Sequence, residues 1–171
     1  HGYEIEIKSN DKIEQDNKYK YGDINIICDI TEIPKPDEEY DVILCTEVLE
    51  HLYDPHSAMK EFARLLKPHG KLIITSPIGC IRHMDPFFYS HGLSDRWFET
   101  SAKKNNFSSV EIHQDGDYFT FLAYEIARLA YFSNLISKII LSPAFFLLSL
   151  KRKNKKSNDT MGQHYFVLIT K

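Results

Sequence analysis

Apolar positions in this chain fall into short blocks separated by polar stretches. Ile24-Asn25-Ile26-Ile27-Cys28, Tyr40-Asp41-Val42-Ile43-Leu44-Cys45 and Lys71-Leu72-Ile73-Ile74-Thr75 have the length of strands. The last two are nearly continuous, which suits strands covered on both faces of a parallel sheet. Residues 3–7 alternate and predict another strand, ending near Glu6. Residues 8–22 are polar loop, and Pro34-Lys35-Pro36-Asp37 predicts a turn.

Helical signals lie between these blocks. Asp54-Pro55 is a start, with an acid at the N-cap and proline in the first helical position. Ala58, Met59, Phe62, Leu65 and Leu66 then share one helical face, and Pro68-His69-Gly70 ends it. A second helix is predicted over Ser94 to Lys104, after a long loop at 77–92 rich in Pro, His and aromatic residues. Residues 107–113 and 164–170 predict the last two strands. Strands alternating with helices imply right-handed crossovers and an α/β fold on a mostly parallel sheet with helices on both faces.

Residues 118–150 break this rhythm, with 23 apolar residues out of 33. Leu122, Ile126, Leu129, Ile136 and Ile140 follow helical spacing, with Glu125, Arg128 and Lys138 on a polar side. The longest unbroken apolar run is Ala144 to Leu148, far short of the ~18 residues that suggest a membrane span. Pro143 interrupts the pattern as well. Two helices are predicted, about 118–133 and 135–150, followed by the basic run Lys151-Arg152-Lys153-Asn154-Lys155-Lys156. Three uses compete for them: completing the core, lidding an apolar substrate, or lying on a membrane surface.

Composition narrows the class. The 171 residues are 43% apolar and 26% charged, which fits one globular domain. The net charge of −3 does not fit a general nucleic-acid binder. That total hides a polarity: residues 1–50 carry 14 acids and 5 bases, whereas 51–171 carry 10 acids and 16 bases. Cys28, Cys45 and Cys80 form no CxxC pair, which predicts free thiols, no metal site and a reducing, cytoplasmic setting. The first residues have no signal-peptide pattern and read as an interior cut.

From Asp23 to Pro77 the chain resembles class I S-adenosylmethionine-dependent methyltransferases. The resemblance rests on Tyr40-Asp41-Val42-Ile43-Leu44-Cys45-Thr46-Glu47-Val48-Leu49-Glu50-His51-Leu52, on Asp54-Pro55, and on Leu65-Leu66-Lys67-Pro68-His69-Gly70-Lys71-Leu72-Ile73-Ile74-Thr75-Ser76-Pro77, in family order. It implies a Rossmann-like, doubly wound, mostly parallel sheet with an antiparallel last strand at 164–170 beside 107–113. The segment 118–156 becomes an insertion between those two strands. The resemblance also implies S-adenosylmethionine as cofactor and methyl transfer to a small-molecule, glycan or lipid acceptor. A non-catalytic remnant acting as a binding module is the alternative.

By the same resemblance Glu6 would bond the ribose hydroxyls and Asp29 the adenine amine, with Ile30 packed on the adenine ring. Cys45, Thr46 and Glu47 would line the cofactor crevice at a strand tip. Each has a plainer counterpart: a solvated strand-end charge, a turn cap, strand-end packing. His51 suits a structural histidine bonded to backbone. His83 and His91, in the long loop, are the candidate general bases. A peripheral contact with the inner membrane face through 118–156 is the remaining partner expectation.

The glycine-rich loop that this family places before strand 3–7 is missing: the seven glycines stand at 2, 22, 70, 79, 92, 116 and 162. The first strand and crossover are expected to lie upstream, and these 171 residues alone to bind cofactor weakly or not at all. A nicotinamide-dependent oxidoreductase ranks lower, since GxGxxG and Tyr-x-x-x-Lys are both missing.

Overall fold

A computed structural model describes residues 5–7, 26–151 and 154–171, with only the backbone of 5–7 and Ile27. The elements are β1 (Ile5–Ile7), β2 (Ile26–Cys28), β3 (Tyr40–Thr46), α1 (Pro55–Leu65), β4 (Leu66–Pro77), α2 (Asp95–Lys104), β5 (Ser109–Asp115), α3 (Tyr118–Tyr131), α4 (Leu135–Ser149), α5 (Lys155–Asn158) and β6 (His164–Thr170). The expected loop 8–22 lies outside the described residues.

Four strands form one sheet in the order β3-β4-β6-β5, and β1 pairs with β2 in parallel. β3 and β4 are parallel; β6 runs antiparallel to both β4 and β5, so β3, β4 and β5 point the same way. This is the mixed Rossmann-like sheet that the sequence implied, with the last strand inserted beside the penultimate one.

α1 and α2 occupy one face of that sheet, where Ala58, Met59, Phe62, Phe98 and Ala102 pack on Leu72, Ile74, Val167 and Ile169. Helices on both faces were expected. Both crossovers, β3 to β4 and β4 to β5, step in the same direction, and the right-handed rule then puts their helices on the same side. On the other face Val42, Leu44 and Phe166 are exposed.

Local chemistry sets the boundaries. Asp54 caps α1 by accepting from the His56 and Ser57 backbone N–H groups, with Pro55 in the first turn. Glu61 accepts from the Ile33 N–H at 2.7 Å and pairs with Arg64 at 2.6 Å. Arg64 donates onward to the carbonyls of Ile33 and Lys35 and to Asp37. The 33–37 turn is thereby clamped to α1, and the Arg64 guanidinium holds the Glu61 carboxyl below the usual range.

β4 begins at Leu66, not near residue 71. The chain leaves α1 directly into extended backbone, and Tyr40 pairs with Leu66 before a register shift restores Val42 opposite Lys71. β5 starts two residues later than expected because Asn105 caps α2, Asn106 turns with φ +59° and the Phe107 N–H still bonds back to Ala102.

Gly92 ties the long loop to the end of β4. Its φ is +135°, and a Cβ there would collide with the Pro77 carbonyl. Gly92→Ala is expected to destabilise the fold by on the order of 2–4 kcal/mol, through both strain and collision, as measured by chemical denaturation.

Candidate functional site

The carboxyl ends of β3 and β4 meet the start of β6 and one side of α3. Here a cavity of about 100 Å³ is lined by Glu47, Pro77, Gly79, Cys80, His83, Phe121, Tyr124, Arg128, Gln163 and His164. In open α/β sheets ligands bind outside the carboxyl ends of the strands, which is where this cavity sits.

Glu47 forms the tip of β3. It is in the left-handed region, φ +52°, and its N–H donates to the Thr75 carbonyl at 3.0 Å. A non-glycine residue held there costs roughly 1–2 kcal/mol, a strain that tends to collect at functional sites. The turn aims the Glu47 carboxylate across the cavity, 3.7 Å from His164 Nε2. On the far wall Arg128 donates to the Gly79 carbonyl at 3.2 Å and to Glu125 at 2.6 Å, with its guanidinium 4.5 Å from the Tyr124 ring centre.

Of the two candidate bases, His83 lines this cavity; His91 is not among its lining residues. His83 Nδ1 donates to the Ile81 carbonyl at 2.8 Å, which leaves Nε2 as the ring's acceptor. His91 Nδ1 donates to the Cys80 carbonyl at 2.7 Å, and its ring stands edge-on to Phe88. His51 Nδ1 donates to the Phe87 carbonyl at 2.8 Å, the backbone-bonded placement foreseen for it.

The residues expected around the cofactor divide. Glu47 lines the cavity and Thr46 is exposed beside it. Cys45 points the other way, into the core, where burial and then Glu50 push its thiol up to about 12. Asp29 directly follows β2; its Oδ1 accepts from Thr31 N and Thr31 Oγ1 at 2.8 and 2.7 Å. Its Oδ2 has no hydrogen bond among the described residues. Ile30 is 5% exposed and joins the hydrophobic core. Glu6 pairs with Ile27 in β1, and its side chain lies outside the described residues. Among the described residues no group of three or more His, Cys, Asp or Glu is arranged to hold a metal ion.

A larger depression of about 650 Å³ is lined by Cys28, Glu32, Ile33, Pro34, Lys35, Pro36, Glu61 and Arg64. Glu61 and Arg64, two of its four charged lining residues, already bond the turn that forms its wall. The smaller cavity, with polar groups directed into it from four elements, is the better candidate.

Sequence reasoning passed over Glu50, Arg128 and His164. Arg128 was legible only as the polar side of a helix, and His164 only as the first residue of a strand. Glu50 gave no signal as an acid bound for burial. It is 1% exposed, and its Oε2 has no hydrogen-bond partner among the described residues. Burial raises its pKa from 4.5 to about 7, with Glu47 adding to the rise and its own backbone hydrogen bond opposing it.

A raised carboxyl pKa makes the folded state bind the extra proton, so stability falls as pH rises from 4.5 through about 7. Glu50→Gln is therefore expected to be more stable than the parent at about pH 8, by on the order of 1–3 kcal/mol. That advantage fades below the ordinary carboxylate range. Urea unfolding at the two pH values measures it.

Residues 4–74 match the family described as methyltransferase domain. A ubiquinone biosynthesis O-methyltransferase of Coxiella burnetii is 43% identical over 54 residues, 31% of this chain and 23% of that protein. The uncharacterized protein YafE of Escherichia coli is 27% identical over 90 residues, 53% of this chain and 39% of that one. The chain thus spans well under half of these relatives. Two solved structures share its fold, each with a TM-score of 0.51. One is a Galdieria sulphuraria protein provisionally assigned as a sarcosine dimethylglycine methyltransferase, at 18% identity over 85% of this chain and 58% of that one. The other is a provisionally assigned methyltransferase of Bacillus halodurans, at 13% identity over 88% and 73%.

Proposed function

We propose that this chain, whose residues 4–74 match the methyltransferase domain family, is part of a class I S-adenosylmethionine-dependent methyltransferase that binds S-adenosylmethionine and serves methyl transfer to a small-molecule, glycan or lipid acceptor. The observation that carries the reading is the Glu47 tip, a strained strand end that opens onto a cavity at the carboxyl ends of β3 and β4. The reading places the protein in the cytoplasm, with 118–156 available for a peripheral membrane contact.

The residues present fit the cofactor. Asp29 stands at the carboxyl end of β2 with Oδ1 engaged by Thr31, so Oδ2 can accept from an adenine amine. Glu6, on the neighbouring strand, brings the acid suited to a vicinal diol. Backbone at Cys45, Thr46 and Glu47 lines the approach, and Ile30 braces the turn after β2 from the core side. S-adenosylmethionine, when bound, supplies an electrophilic methyl on a sulfonium. What the protein adds is orientation and exclusion of water, and orientation alone can lower a barrier by roughly 7–11 kcal/mol.

On the acceptor side His83 Nε2 takes the proton of an attacking O–H or N–H, since Nδ1 is committed to Ile81. Glu47 and His164 orient the acceptor from the opposite wall, and Phe121 and Tyr124 supply apolar contact. His91 positions the loop through Cys80.

Calorimetry with S-adenosylhomocysteine, on protein that includes the expected upstream strand and crossover, tests the cofactor half. Asp29→Ala is expected to weaken binding by about 1–3 kcal/mol through the lost charged hydrogen bond, and unchanged affinity would refute the assignment. His83→Gln should leave that affinity in place while lowering methyl transfer by roughly 10²-fold or more. A loss no larger than that of His91→Gln would remove His83 from its role.

A further inference from the structure

The α3–α4 hairpin leaves its apolar side chains in water. α4 buries no residue, and α3 buries only Ala123. Leu135, Ile136, Ile139, Ile140, Phe146 and Leu147 are between 62% and 72% exposed, and Tyr131 and Phe132 at the turn are 79% and 71% exposed. These six residues of α4 form one broad face, bounded on one side by Lys138, Ser142 and Ser149. Leu141 and Leu148, on the other side of the helix, are half-buried. A contiguous apolar surface of this kind marks an interaction site in a soluble fold.

Charge selects the occupant. Between Glu125 and Asp159 there is no Asp or Glu, against seven Lys and Arg. Lys138 and Lys151 border the apolar face, and Lys155 and Lys156 follow it on α5, all four of them exposed. A second copy docked about a two-fold axis would bring the same positive residues towards one another. An anionic lipid surface favours both the apolar face and the unbroken positive sign. The 15 residues of α4 span about 22 Å, short of the ~30 Å hydrocarbon core, and no described helix is long and apolar enough to cross a membrane. Lying in the interface plane is the geometry left to it.

We infer that the α3–α4 hairpin is an interfacial anchor that docks this protein on an anionic bilayer. It names the lipid surface for the membrane contact included in the methyl-transfer reading, and only its consequence for the acceptor rests on that reading. Phe121, Tyr124 and Arg128 of α3 wall the cavity, so the helix that meets the lipid also lines the site. An amphiphile whose tail stays in the bilayer can therefore present its polar head to His83 along α3.

Co-sedimentation with phosphatidylglycerol–phosphatidylcholine vesicles, without cofactor, tests the anchor apart from methyl transfer. The protein is expected to pellet with these vesicles at low salt, to be released in part by high salt, and to bind pure phosphatidylcholine about tenfold more weakly or less. Ile136→Ser with Ile140→Ser and Leu147→Ser should reduce binding at least about tenfold at both salt levels. Lys151→Gln with Lys155→Gln and Lys156→Gln, which keeps the apolar face, should weaken low-salt binding and reduce the salt dependence, and an unchanged salt dependence removes these lysines from the anchor. These sites are exposed, and circular dichroism confirms that each variant folds. Protein that stays in the supernatant with anionic vesicles at low salt overturns the inference. So does a Ser variant that pellets like the parent. A dimer by light scattering that the Ser variant dissolves, without vesicle binding, assigns the face to a second copy instead.

Discussion

The parallel pairing of β3 with β4 is the constraint from which the site follows. Its register sets Cys45 opposite Ile74 and Thr46 opposite Thr75, so the two strands reach the same edge of the sheet together. Glu47 can then turn out of β3 with its N–H still bonded to the neighbouring strand. Since β6 is antiparallel to β4, its first residue, His164, lies opposite Pro77 at that same edge. Three segments distant in sequence thus converge at one edge, and the α3 wall completes the cavity.

Among the described residues, the fully buried side chains of that edge lie on one face. Leu72 and Ile74 from β4 and Val167 and Ile169 from β6 are fully buried under α1 and α2. Full burial of four such side chains contributes on the order of 6–12 kcal/mol before the entropy of ordering is set against it. The Glu61–Arg64 pair adds direction more than energy. It bonds the 33–37 turn to α1 and so fixes where the chain enters β3. Next to the cavity the fold accepts opposite conditions: a left-handed glutamate at the tip and a buried carboxyl three residues on. Both work against stability, and both sit where substrate chemistry would occur.

The hairpin follows a different logic from the rest of the chain. Under α1 and α2 apolar residues meet other apolar residues, whereas α3 and α4 meet chiefly each other and leave the larger part of their apolar surface open. Among the described residues neither helix adds to the main hydrophobic cluster, and Ala123 alone of the two is buried. Their contribution lies at the cavity wall and on the outer surface.

Local pattern was enough to read the strands at 40–45 and 164–170, the capped start of α1, the two helices of the hairpin and the family resemblance carried by 40–77. Each of these depends on residues close together in the chain: a run of β-formers, an Asp-Pro step, a helical spacing of leucines and isoleucines. Glu47 was legible through that resemblance, which put it at a strand tip. Only the tertiary structure separated His83, which lines the cavity, from His91, eight positions away in the same loop, which does not. It alone buried Glu50, turned Cys45 and Ile30 into the core, and brought His164 and Arg128 to the site. Periodicity tells which side of an element is apolar; it does not tell what that side will meet. That depends on contacts between residues far apart in sequence, formed when the sheet assembles.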